Sequence, residues 1–320
     1  MARPQSERGP RRNPSYVSFY SFILPLVAGF GYACAAVAIK RALRAGATGA
    51  VVNFLCNSVM AVLFQCLWLF PGRAFSVGWL PAPAFCGFLF FLGQIFTFKA
   101  IETGDVSVAT PLLGSKVILV AIFSFFLIGK SLPHDIWTAS MMASLGIAFI
   151  SYSPSGTHAK LFVAVMWSLG AAAVFALTDV FVQRWVPSVG YSRFAPVMFG
   201  VLGIFTLLYV PGLIRSPFKQ SALKTDFLLG IHSLSSPWLF GGAALLSLQA
   251  LGMYSAIGLF GNATMTNILY GSRCLWSVLL VWIVGPIAGD ASPLQLRFGA
   301  MSRRFLGALL LFAAMALVLR

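Results

Sequence analysis

The sequence predicts an all-α polytopic membrane protein, with ten transmembrane helices arranged as two inverted-topology five-helix repeats. Three observations lead there. Hydrophobic residues make up 59% of the 320-residue chain and charged residues 9%, against roughly 25% charged in a soluble domain. Apolar runs of about 20 residues, the length an α-helix needs to cross a hydrocarbon core of roughly 30 Å, recur from end to end. The two halves also carry matching blocks, each with a lone cation deep inside an apolar run.

Residues 1–16 hold Arg3, Arg8, Arg11 and Arg12 among Pro, Ser and Asn, which predicts a disordered basic tail rather than a cleaved signal. Five spans follow at about 17–39, 50–70, 80–100, 107–128 and 134–152, making a first repeat over 17–152. Turn signals separate them: "RAGATG", "PGR" and "ETGD" after the first three. A linker at 153–160 leads to the second repeat, 161–320, with spans at about 161–183, 194–214, 237–258, 263–284 and 303–319. The longer polar stretch from Arg215 to Ser236 joins its second and third spans.

The repeat is legible in two blocks. Ala100 through "ETGDVSVATPLLGSK" to Lys116 matches Ala256 through "IGLFGNATMTNILYGSR" to Arg273, with one residue inserted in the second. Five spans per half is an odd number, so the halves must cross the membrane in opposite senses. Such an inverted repeat places a substrate site near the midplane between its halves.

The net charge of +15 is scattered through short loops and the tail, so membrane lipids rather than nucleic acid are the expected partners. Lys and Arg divide nearly evenly between the two sets of loops. The four tail arginines favour a cytoplasmic N-terminus, in a plasma membrane of the bacterial inner-membrane kind. Cys34, Cys56, Cys66, Cys86 and Cys274 show no C-x-x-C spacing and read as packing residues. His134, His158 and His232 lie far apart, no acidic pair occurs, and no phosphate loop precedes a Lys-Ser/Thr. Neither an enzyme nor a metal or cofactor is expected.

Lys116 is the tenth residue of a run of 22 and Arg273 the eleventh of a run of 22. A cation at such depth costs roughly 2.5–3.5 kcal/mol on insertion scales. If the two equivalent helices line one cavity, both cations face a shared space that an anion would neutralise. Thr266, Tyr270, Trp276 and Ser277 fall toward Arg273 at helical spacing, and Gln94 and Asn267 lie on or beside the cation helices, so these eight residues are the candidate substrate site. Asp179, the acid placed inside a span, is a candidate for a coupling proton or for a buried ion pair with Lys116, Arg273 or Arg184. Aromatics at this spacing also serve as packing, and a structural ion pair is the competing account of the cations. Pro111, five residues before Lys116, predicts a kink.

Ten spans, the five-plus-five repeat and the block "AIETGDVSVATPLLGSKVILVAIFSFFLIGKSLPHDIW" resemble the drug/metabolite transporter superfamily, EamA-type proteins in particular, over roughly residues 17 to 320. Two positions depart from the EamA pattern: Lys130 follows Gly129 where that pattern has Glu, and Val117 stands where it has Pro. "LGSKVILVAIFSFFLIGKSL" is similar to the nucleotide-sugar branch, and Arg273 matches the basic ninth-span residue of that branch and of sugar-phosphate translocators. The resemblance implies alternating access and a small anionic organic substrate, phosphorylated or carboxylated, carried by a monomer or homodimer. The alternatives are a permease for neutral or cationic solutes using Asp179, and a non-transporting membrane scaffold or lipid-handling protein.

Overall fold

A computed structural model describes residues 17–74, 76–103, 112–129, 131–151, 158–215, 236–284 and 298–319, and these are helical throughout apart from short connections. The helices are α1 Val17–Arg44, α2 Gly49–Gln65, α3 Pro81–Thr103, α4 Lys116–Phe123, α5 His134–Ser151, α6 His158–Val189, α7 Tyr191–Arg215, α8 Pro237–Phe260, α9 Ala263–Tyr270, α10 Arg273–Val284 and α11 Phe298–Val318. α4 runs on into a π turn, Ser124–Ile128, that ends at Gly129 in the left-handed conformation (φ 72°). The expected tail, the kink at Pro111, most of the linker and the polar stretch 216–235 lie outside the described residues.

Among the described residues, six helices are long and apolar enough to cross a membrane: Phe19–Arg44, Gly49–Leu69, Val77–Thr97, Phe162–Val189, Tyr191–Tyr209 and Pro237–Phe260. Each turns half or less of its span inward, and large apolar side chains such as Leu69, Phe126, Phe162, Leu208 and Phe312 stand outward. Such an outer surface belongs in lipid, where helices satisfy every backbone group internally. The protein is an all-α polytopic membrane protein.

The expected fourth and ninth spans are not continuous helices, and both break at the same motif. Gly114-Ser115 separates the helical residues 112–113 from α4, and Gly271-Ser272 separates α9 from α10. In each break tight i→i−3 bonds replace the α pattern: the Ser115 and Val117 N–H groups donate to Leu112 and Gly114 at 3.0 and 3.3 Å, and those of Ser272 and Cys274 to Leu269 and Gly271, both at 3.1 Å. Each cation is thus the first residue of a fresh helical segment. The Ser115 hydroxyl adds a bond to the Leu112 carbonyl at 2.6 Å.

Helix pairing follows a reciprocal pattern. α1 packs along α8 as α3 packs along α6, and α2 contacts α8 as α3 contacts α7, while α2 meets α7 and α5 meets α11. The α3–α6 seam is aromatic, with Phe90 against Phe175 and Phe96 against Trp167. Phe64 of α2 and Phe199 of α7 stack at 3.7 Å. α5 and α11 cross where glycines meet: a Cβ on Gly146 would lie 2.8 Å from the Gly307 carbonyl oxygen, and one on Gly307 2.6 Å from that of Gly146. Small residues at a membrane helix crossing let the backbones approach this closely.

Gly146→Ala and Gly307→Ala are therefore expected to lower the thermal midpoint in detergent, at a cost of about 1–3 kcal/mol for forced separation. Gly241→Ala is the control, because a Cβ there meets nothing within 4 Å. It should hold or raise the midpoint, since Ala is worth up to about 1 kcal/mol over Gly inside a helix.

Candidate functional site

The site grows from the bends that bring the broken helices inward. α8 ends at Gly261, whose left-handed conformation (φ 66°) turns the chain sharply. Asn262 then caps α9, its side-chain oxygen accepting from the Met265 N–H at 3.1 Å. Gln183 of α6 accepts from the Ala263 N–H at 2.7 Å, which ties the start of α9 to α6. One turn above Gln183 on α6 stands Asp179.

Asp179 is fully buried, ten residues before the end of α6. Its carboxylate gathers three partners from three helices. Lys116 Nζ of α4 lies 2.7 Å from Oδ2, Asn267 Nδ2 of α9 donates to Oδ2 at 2.7 Å, and the Tyr254 hydroxyl of α8 donates to Oδ1 at 3.2 Å. A buried charge of this kind is stable only when paired and hydrogen-bonded, and this one is.

Arg273 has a different environment. Its guanidinium carbon sits 5.0 Å from the Tyr32 ring centre and 4.7 Å from that of Tyr270, and the two rings meet edge to face at 6.1 Å. The Tyr270 hydroxyl donates to Gln249 Oε1 at 2.8 Å, which fixes the ring. No carboxylate pairs with Arg273 among the described residues. Ring faces attract a cation, worth about 0.5–2 kcal/mol each, without supplying a counter-charge. α1 reaches the break beside Arg273 because Gly29 carries no side chain: a Cβ there would lie 2.8 Å from Ser272 Oγ and 3.1 Å from the Arg273 nitrogen.

Both cations line one cavity of about 420 Å³. Tyr32, Phe90, Phe175, Tyr254 and Tyr270 give it aromatic walls, and Gln94, Thr97 and Gln249 add polar groups. It extends toward Lys40 and Leu43 at the C-terminal end of α1, Thr97 of α3 and Leu246 of α8. Val186, Tyr191, Ile257 and Ala263 do not line it and belong to the buried apolar core.

Of the eight residues picked out from sequence, Lys116, Arg273, Tyr270 and Gln94 line this cavity, and Asn267 stands behind it on Asp179. The other three point elsewhere. Thr266 is buried against the Asn262 carbonyl, Ser277 donates to the carbonyl of Arg273, and Trp276 packs edge-on against Phe30 at 5.2 Å. Arg184 does not reach Asp179; it donates to the Leu127 carbonyl at 2.6 Å. Tyr32, Tyr254, Phe175 and Gln249 were not singled out as site residues. For Gln249 a signal existed: it lies seven residues before Ala256, and Gln94 lies six before the repeat-equivalent Ala100.

Residues 19–152, which span α1 to α5, match the model of the EamA-like transporter family. The cavity borders four helices of the matched segment, α1 to α4, with Gln94 and Lys116 among its lining. A solved structure described only as a crystal structure of a protein is 17% identical, with a TM-score of 0.63 over 93% of this chain and 95% of its own. That likeness is one of fold, and it extends beyond the EamA-like segment into the second half. No curated protein matches the sequence.

Removing one bond from the buried carboxylate tests the description of the site. Tyr254→Phe and Asn267→Leu each leave Asp179 one donor short and are expected to cost about 1–3 kcal/mol, read as a lower thermal midpoint in detergent. Ser277→Ala, which loses only a bond within its own helix, should change the midpoint little, within about 0.5 kcal/mol.

Proposed function

We propose that the protein is a secondary transporter that moves a small anionic organic metabolite by alternating access, with Arg273 and Lys116 as the substrate clamp. The observation that carries this reading is Arg273, a cation in a membrane-depth cavity whose neighbours are aromatic faces and which has no acidic partner among the described residues. An arginine fork suits a phosphate or carboxylate, and an anion supplies the counter-charge that the tyrosines do not. Lys116 spends one of its donors on Asp179 and still borders the cavity. The volume fits a compact metabolite, at the lower end of typical ligand pockets of about 300–1,000 Å³.

The proposed architecture is two five-helix units, 17–152 and 161–320, of opposite orientation, joined by 153–160. Reciprocal packing of α1 with α8 and α3 with α6 supports it, as does the Gly-Ser break before each cation. Discontinuous helices flanking a midplane site are the arrangement by which inverted-repeat transporters hold their substrates. The tail arginines support a cytoplasmic N-terminus in a bacterial inner membrane. For a cationic solute, Asp179 would have to shed three existing partners.

A thermal-shift screen of the purified protein with phenyl phosphate, a hexose phosphate and benzoate tests the reading. At least one of these should raise the midpoint in wild type, by up to about 2.7 kcal/mol at a hundredfold excess over Kd. Arg273→Gln should weaken that anion about 10- to 100-fold, the worth of a charged hydrogen bond of about 1.5–3 kcal/mol. Stabilisation by no anion, or equal stabilisation of the variant, contradicts it.

A further inference from the structure

Behind the cavity, bonded to two of its lining residues, stands an acid whose charge decides how much negative charge the site can accept. At the depth of the two helix breaks Lys116 and Arg273 carry two positive charges and Asp179 one negative, so the inner end of the unloaded site stands at plus one, with Lys40 exposed to solvent at the other end of the cavity. A monoanion brings it to neutrality. A dianion leaves it at minus one in a low-dielectric interior, where an uncompensated charge is costly.

We propose that Asp179 is a proton carrier linked to the anion: a dianionic substrate draws Lys116 away from Asp179, the freed carboxylate takes up one proton, and dianion and proton cross together. A monoanion crosses without a proton. This rests on the anion reading above and adds the coupling to it. The chemistry balances simply. An O–H bond forms at Asp179 Oδ2 with a proton from water in the cavity, Lys116 stays an ammonium throughout, and no other bond changes.

The surroundings of Asp179 suit the exchange. From α4 it faces Lys116, from α8 the Tyr254 hydroxyl, from α9 the Asn267 amide, and from α3 the buried Cys86 thiol is close enough to feel its charge. Arg273 and Tyr270 are the next groups outward. Asp179 is the only acidic side chain buried among the described residues; it does not line the cavity, whereas Lys116 and Tyr254, both bonded to it, do. Movement of the Lys116 ammonium toward an anion therefore exposes the carboxylate at the moment its counter-charge leaves. Once protonated it keeps partners, since the Tyr254 oxygen can accept from the new O–H and Asn267 still donates.

Calorimetric titration of the full chain in detergent, in two buffers of different ionisation heat, counts the protons bound with each anion. The probes are phenyl phosphate, a dianion at about pH 8 because its second ionisation lies near 6, and benzenesulfonate, a monoanion with the same ring. Wild type should take up about one proton per phenyl phosphate and none with benzenesulfonate, and its phenyl phosphate affinity should fall about tenfold per pH unit. Asp179→Asn should bind phenyl phosphate with no proton uptake and no such pH dependence. Infrared difference spectra of wild type give a reading that needs no variant: a protonated-carboxyl band should rise with phenyl phosphate and not with benzenesulfonate. Binding of phenyl phosphate without uptake, uptake retained in Asp179→Asn, or no carboxyl band overturns the coupling and leaves the anion reading standing. Binding of neither probe to wild type overturns both.

Discussion

The cavity is organised around one buried carboxylate. Asp179 cannot be left alone in a membrane-depth core, and the demand that its charge be met draws in an ammonium from α4, a hydroxyl from α8 and an amide from α9, all onto α6. α4 belongs to the first half of the chain and the other three helices to the second. One polar cluster therefore fixes the relative placement of helices that lipid-like packing alone would orient weakly, because apolar side chains gain little from each other over lipid. Breaking such a pair by removing one partner costs far more than the pair itself contributes.

The two cations occupy equivalent positions in sequence and in backbone geometry, each directly after a Gly-Ser break, yet their surroundings differ. Lys116 is neutralised by a carboxylate, while Arg273 is held by two tyrosines. The asymmetry matches the chemistry of the side chains. A point-charge ammonium can be handed from a carboxylate to a substrate, whereas a planar guanidinium is better placed once, between rings, with its fork turned to the ligand. On the proposed two-repeat scaffold, Lys116 would be the switchable cation and Arg273 the fixed one.

Much of this was legible in the sequence, for identifiable reasons. Helix identity and apolar length follow from composition, and the proposed repeat rests on the paired "GSK" and "GSR" motifs, because intramembrane charges are rare enough to serve as landmarks. The breaks before Lys116 and Arg273 were hidden, since Gly-Ser within an apolar run reads as continuous helix until the backbone bonds are traced. Which cation Asp179 would pair with could not be read either, because that depends on the rotation of α4 and α9 about their axes. Trp276 and Ser277 share a helical face with Arg273 in projection, but α10 begins at Arg273, so that face turns to α1 and its own backbone rather than to the cavity. Tyr32 carried no local mark at all; it reaches Arg273 because Gly29 lets α1 close on the break.

The claim on which the account depends is that Lys116 and Asp179 are energetically one unit. A double-mutant cycle of thermal midpoints with Lys116→Gln, Asp179→Asn and the two together measures this directly. Each single substitution should destabilise the protein by about 3–5 kcal/mol, and the charge-neutral double variant should recover a large part of that loss, leaving a coupling of at least about 1–3 kcal/mol. Losses that simply add would mean that the two residues act separately and would contradict the account.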